Sequence, residues 1–295
     1  MRSERVSFWI GFKSDLSYFD QFSDNILKIM VDWKDKACIV TGACSGIGLE
    51  FVKSLLDRKA KCLMADLNFK VCEEKETEFQ KKYGPNQVSY LRVDVSSHQN
   101  FEAAFEKCLE LFGKVDILVN SAGIIGEINW ESQLQINLFG TIRGTKLALK
   151  HMKKGGIVLN ISSVHGLQVR PTMPTYSAGK SGIITFTRSA GHPIEYAETG
   201  VKIVCLCPGA VDTPLGDYKH HIGITPVAKA HYDQRVRAQL LPQLLPSEVS
   251  EAGIEIMEKA ESASVWFIHT HGQKAFEVPN ELDTMEKLLE YQPQC

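Results

Sequence analysis

The chain has 295 residues, 33 of them Lys or Arg and 35 Asp or Glu, for a formal net charge of −2. Its 44% hydrophobic and 23% charged content excludes wholesale disorder, and its length suits one large α/β domain better than a disulfide-stapled mini-protein. The balanced charge lacks the basic excess of a dedicated nucleic-acid binder, so no nucleic-acid partner is expected.

Residues 1–34 read as a loosely ordered N-terminal extension. Its apolar run, Val6–Phe12, is short and lacks a small-residue cleavage pattern, while Glu4, Asp15, Asp20 and Asp24 oppose a mitochondrial presequence. Met30, just before the first strand, is an alternative start. Nowhere does the chain run to about 18 apolar residues, so no membrane span is expected.

From residue 35 short β-rich runs alternate with helical patterns. The predicted strands are Lys36–Thr41, Lys61–Asp66, Val88–Val95, Val115–Asn120, Gly156–Ser162, Val201–Cys207 and Ser264–Thr270. Their near-continuous apolar character fits strands buried on both faces of a parallel sheet. Between them, Phe101, Ala104, Phe105, Cys108, Leu109 and Phe112 recur at helical spacing, with a Ser97 cap before and Gly113 after. The alternation predicts a single-domain, Rossmann-type doubly wound α/β sheet of about seven strands over 35–279. Residues 212–246 interrupt it at the carboxyl edge of the sheet and read as a substrate lid, and 280–295 as a tail.

The eight cysteines form no CxxC pair and several sit in apolar runs, which points to a reducing, cytoplasmic setting with no disulfide framework. His220, His221 and His231 are read as a solvated loop, so no metal is expected.

Two motifs carry chemistry. Thr41-Gly42-Ala43-Cys44-Ser45-Gly46-Ile47-Gly48 joins the first strand to a helix, a turn in which free N–H groups and the helix dipole favour a pyrophosphate. The second strand ends in Asp66, a carboxylate able to accept both adenosine ribose hydroxyls and to repel a 2′-phosphate, and no Arg or Lys lies in the turn. NAD is therefore expected over NADP. Tyr176 and Lys180 share a helix face four residues apart, where an ammonium stabilises a phenolate and makes Tyr176 a candidate acid/base. Ser163, just past the fifth strand, is placed to hydrogen-bond a substrate oxygen.

With Asn120-Ser121-Ala122-Gly123, Asn137 in QINLFGT and Pro208-Gly209 added, the chain resembles the NAD-dependent short-chain dehydrogenases/reductases over about residues 35–279. The resemblance implies that Tyr176 is the catalytic acid/base, that Ser163 orients the substrate oxygen, that Lys180 assists Tyr176 and binds the nicotinamide ribose, and that Asn137 holds a relay water. It also implies a cofactor-binding set of Gly42, Ser45, Gly46, Ile47, Gly48, Asp66, Leu67, Asp94, Val95, Asn120, Tyr176, Lys180, Pro208, Val211 and Thr213. Asp94 and Val95 would flank the adenine, and Val211 and Thr213 would meet the carboxamide. A homodimer through the helices of Asn137 and Tyr176 is implied as well.

FGKVDILVNSAG at Phe112–Gly123, the stretch Asn129–Leu138 and FTRSA at Phe186–Ala190 resemble the 15-hydroxyprostaglandin dehydrogenase branch. That resemblance implies oxidation of a secondary hydroxyl on a lipid-like substrate, with Ser163, Met173 and Tyr176 at the substrate. Met173 departs from the branch, which has a glutamine there, so a sterol, a fatty alcohol or a terpenoid stays open. Two further alternatives are a ketone reductase and a catalytically idle dinucleotide- or lipid-binding protein. The intact set Ser163, Tyr176, Lys180 and Asn137 favours an enzyme.

Overall fold

The apolar runs form an eight-stranded sheet in the order β3-β2-β1-β4-β5-β6-β7-β8, parallel from β3 to β7 and antiparallel only at β8. The computed structural model describes residues 31–168, 173–216, 225–226, 230, 243–268 and 276–278. The strands are β1 Ala37–Thr41, β2 Lys61–Asp66, β3 Val88–Arg92, β4 Ile117–Asn120, β5 Ile157–Ile161, β6 Lys202–Pro208, β7 Val265–Ile268 and β8 Phe276–Glu277. β1, β4 and β5 are buried at every residue, as central strands covered on both faces must be. β3 stops three residues before the predicted end because Asp94 folds onto its own loop, accepting from the Ser96 N–H and hydroxyl at 2.8 and 2.6 Å.

The helices are α1 Gly46–Asp57, α2 Phe69–Tyr83, α3 His98–Phe112, α4 Trp130–Leu134, α5 Gly140–His151, α6 Pro174–Ala190, α7 Pro193–Thr199 and α8 Pro246–Lys259, with a π-helical turn Gln135–Phe139 joining α4 to α5. They cover both faces. Phe101 and Phe105 of α3 and Leu147 of α5 share a core with Ile39, Leu63, Leu118 and Val158. On the other face α1 and α8 meet so closely that a Cβ on Gly253 would lie 2.3 Å from Phe51 Cζ and 3.0 Å from Leu159 Cδ2.

Trp33, assigned on sequence to the N-terminal extension, is buried, and its indole N–H donates to Glu258 Oε1 at 2.6 Å. The folded part therefore begins before residue 35. Most of the lid expected at 212–246 lies outside the described residues, as do His220, His221, His231, the tail 280–295 and residues 1–30. The two ends of the lid segment meet, for Asp212 N–H donates to Leu244 O at 2.9 Å and Leu244 N–H to Ala210 O at 2.8 Å.

Candidate active site

The strand order reverses between β1 and β4, and the crevice beyond their carboxyl ends is where doubly wound sheets take ligands. Thr41 ties the two loops together there. Its hydroxyl oxygen accepts from Ser121 and Ala122 N–H at 3.0 and 3.1 Å. Gly42 sits at φ +64°, and a Cβ on it would lie 2.9 Å from the Ala122 backbone. A Cβ on Gly48 would lie 2.1 Å from Gly42 O, so only glycine permits the turn. Gly46 opens α1 beside Thr213, whose Cγ2 a Cβ would approach to 3.0 Å. Ser45 caps this helix without a side-chain bond, so the α1 N-terminus faces the crevice with Gly46, Ile47 and Gly48 at its start. This cradle, narrow enough to exclude any side chain and rich in N–H groups, fits a dinucleotide pyrophosphate.

At the β2 end of the crevice Asp66 accepts from Cys44 N–H through Oδ2 at 3.1 Å and from Asn68 N–H through Oδ1 at 2.9 Å. Each oxygen keeps a lone pair for a ribose hydroxyl. Leu67 beside it is half-exposed, while Val95 is buried and its carbonyl accepts from Arg143 at 3.3 Å. Cys44 and Cys72 face each other with their Cα atoms 5.4 Å apart, a separation that a disulfide spans. Against the expectation of no disulfide framework, this one pair stands within bridging distance: the two residues are 28 apart in sequence, and the fold brings them together where α2 begins beside the glycine turn. The other described cysteines outside this pair, Cys38, Cys62, Cys108, Cys205 and Cys207, are free and buried. Burial pushes the Cys108 thiol up to about 12.

At the other end, α6 packs its Lys180 backbone against the turn after β5, where a Cβ on Gly166 would lie 2.8 Å from Lys180 C, and Ser162 hydroxyl donates to Lys180 O at 2.8 Å. Lys180 is buried, its Nζ donates to Ile161 O at 2.9 Å and lies 5.6 Å from the Tyr176 ring centroid. Loss of hydration lowers its pKa to about 8, against smaller opposing contributions from Cys205 and Cys207. Tyr176 stands edge-on to His165, ring centroids 5.8 Å apart, and packs with Met173 and Ile125. Ser163 Oγ accepts from His165 N–H at 3.1 Å, which leaves its hydroxyl proton free to point elsewhere. Pro208 ends β6, and Val211 and Thr213 follow within the bridged loop that reaches Gly46.

Two side chains make contacts that the sequence motifs do not reveal. Asn137, in the π turn, clamps the loop after β4: its Oδ1 accepts from Ile124 N–H and its Nδ2 donates to Ile124 O, both at 2.8 Å. Asn120 turns into the core, donating to Asn160 Oδ1 at 2.9 Å. Glu127 was missed altogether. Buried, it accepts from Tyr176 N–H at 2.9 Å and Thr175 N–H at 3.1 Å, capping α6 from another segment. A signal was present: α6 opens with Met173-Pro174, which offers no capping side chain, and Glu127 is the single charge in Ala122–Trp130.

A sequence profile of the short chain dehydrogenases matches residues 36–221. The chain belongs to the short-chain dehydrogenase family. It is thus an oxidoreductase of the class that works with a nicotinamide dinucleotide. Relatives include the bovine (Bos taurus) 15-hydroxyprostaglandin dehydrogenase [NAD(+)], 40% identical over 61% of this chain and 70% of its own length. Another is alcohol dehydrogenase 2 of Ceratitis cosyra, 36% identical over 64% of this chain and 73% of its own. A solved short-chain dehydrogenase/reductase from Burkholderia phymatum, in complex with NAD, shares the fold with a TM-score of 0.71 at 24% identity, covering 90% of this chain and 99% of its own.

Proposed function

We propose that this short-chain dehydrogenase oxidises a secondary hydroxyl to a ketone on a lipid-like substrate, with NAD+ as acceptor. The observation that supports the reading is that Asp66, ending β2, and Ser163, following β5, stand at the carboxyl edge of one parallel sheet, with Tyr176 and Lys180 on the helix packed against the turn after β5. When bound, NAD+ supplies the hydride acceptor. Gly42, Ser45, Gly46, Ile47 and Gly48 would hold its pyrophosphate and Asp66 its adenosine ribose, with Leu67, Asp94 and Val95 around the adenine and Pro208, Val211 and Thr213 at the carboxamide.

The chain's own residues then divide the proton work. Tyr176 takes the hydroxyl proton at its phenolic oxygen, supported by the Lys180 cation. Ser163, its lone pair held by His165 N–H, donates to the substrate oxygen and keeps it aimed. Met173 is buried beside Tyr176 and contributes apolar surface, which favours a bulky hydrophobic substrate and excludes water. The names of the relatives support both a hydroxylated lipid and a simpler alcohol, and Met173 favours the former.

The free buried cysteines support a reducing, cytoplasmic setting. Among the described residues no helix is long and apolar enough to cross a membrane. A homodimer through the helices of Asn137 and Tyr176 belongs to the same reading, and sedimentation would read it as twice the chain mass. The test of the reaction is NADH absorbance across secondary alcohols of graded size and polarity. Turnover is expected to rise from short alcohols to hydroxy fatty acids and to need NAD+; turnover with none of them would overturn the reading.

A further inference from the structure

The Cys44–Cys72 pair closes a ring around Asp66. From Cys44 the ring runs through its N–H to Asp66 Oδ2, from Oδ1 to Asn68 N–H, from the Asn68 side chain to Val71 N–H at 3.4 Å at the start of α2, and through Cys72 back to Cys44. The sulfur atoms and the carboxylate lie within 4.8 Å of one another. Among the described residues outside this pair the cysteines are reduced and buried in the core. A cysteine pair within bridging distance beside a ligand-binding carboxylate, in a chain whose other described cysteines are free, has the placement of a redox-responsive couple.

We propose that Cys44 and Cys72 form a redox-modification site that sets dinucleotide affinity, the disulfide form binding NAD(H) tightly and the dithiol form weakly. The proposal rests on the reading of the crevice as an NAD site. The carboxylate accepts two ribose hydroxyls only while the glycine turn and α2 keep their separation, and the covalent strut removes the ordering cost of holding them so. Cys44, 4% exposed on the crevice loop, is the entering thiol, and Cys72, at 0%, the resolving one. The Cys44 thiolate attacks a low-molecular-weight disulfide such as glutathione disulfide, forming a mixed disulfide and releasing one small thiolate. The Cys72 thiolate then attacks the Cys44 sulfur, forming the Cys44–Cys72 bond and releasing the second. Two protein thiols are oxidised, one small disulfide is reduced to two thiols, and the two protons pass through solvent to the leaving thiolates. Linkage makes the coupling reciprocal, so bound NADH stabilises the disulfide by the factor by which the disulfide tightens NADH.

The test uses the full chain, poised with glutathione disulfide or reduced with dithiothreitol. Peptide mapping reads the Cys44–Cys72 link and NADH fluorescence reads binding. Reduction is expected to weaken NADH binding about five- to tenfold, and saturating NADH to shift the glutathione ratio for half-reduction by the same factor. Cys72→Ser and, independently, Cys44→Ala are expected to show the reduced-state affinity under both conditions. Equal affinity in the two redox states, tighter binding on reduction, or no link under oxidant would each overturn the proposal. Absence of NADH binding in either state would overturn the dinucleotide reading, and the switch with it. Zn2+ bound by the reduced protein, displacing NADH and removed by a chelator, would instead assign Cys44, Cys72 and Asp66 to a metal and sink the redox assignment.

Discussion

Lys180 is a cation held where water does not reach, and its cost and its use are separable. Burial lowers its pKa from 10.5 to about 8, so between those values the folded chain binds fewer protons than the unfolded one and stability rises with pH. Below pH 8 the full penalty is present. Lys180→Met should therefore raise the stability of the cofactor-free protein near neutral pH by about 1–2 kcal/mol, after allowing for the Ile161 carbonyl it leaves without its donor. The gain should shrink toward pH 10.5, which calorimetry at two pH values would show, and a less stable variant at neutral pH would contradict the burial argument. Turnover should fall in the same variant. Tyr176→Phe removes one oxygen and keeps the packing with Met173 and Ile125, so NADH binding should persist while turnover falls about a thousandfold or more. Retained activity would remove Tyr176 from the chemistry. Asp66→Ala should weaken NAD+ binding and bring NADP+ close to parity, read as the ratio of kcat/KM for the two cofactors, and an unchanged ratio would exclude Asp66 as the selector.

Elements rather than residues explain how Tyr176 is aimed. Helix α6 begins with Pro174 and lacks a capping side chain, so Glu127 from the loop after β4 meets the Thr175 and Tyr176 N–H groups. That loop is itself clamped by Asn137 of the π turn through Ile124. Three elements thus fix one phenol. Glu127→Ala should lower kcat about tenfold or more with NADH affinity nearly unchanged, and Glu127→Gln, which keeps one carbonyl acceptor, should recover part of it. Parallel losses in kcat and NADH affinity would mean a general loss of structure instead. The elements themselves were legible from apolar runs, since β2 spans the predicted Lys61–Asp66 without change. Their ends were not, because β3 yields at Asp94 to a side chain that outcompetes the ladder.

At the scale of the molecule, two helical layers hold one sheet, and the glycine turn hangs on the layer of α1 and α8. Gly253 is one point where these helices touch, beside the Ser54–Ser250 and Arg58–Glu251 contacts, so Gly253→Ala drives a methyl into the ring of Phe51, which is fully buried. A loss of about 1–3 kcal/mol is expected, read as a lower denaturant midpoint, together with weaker NADH binding because α1 carries the cradle at its start. An unchanged midpoint would show that α1 and α8 move apart freely. The sequence by itself determined the seven apolar runs, the glycine turn, Asp66 at a strand end and the Tyr176–Lys180 pair, because each is written in a local period or one tight turn. Only the tertiary structure decided the Cys44–Cys72 pairing across 28 residues, the Glu127 cap on Tyr176 across 49, the Asn137 clamp and the inward turn of Asn120. Those partners share no period, and their meeting depends on which segments the packing of both helical layers brings within hydrogen-bond reach.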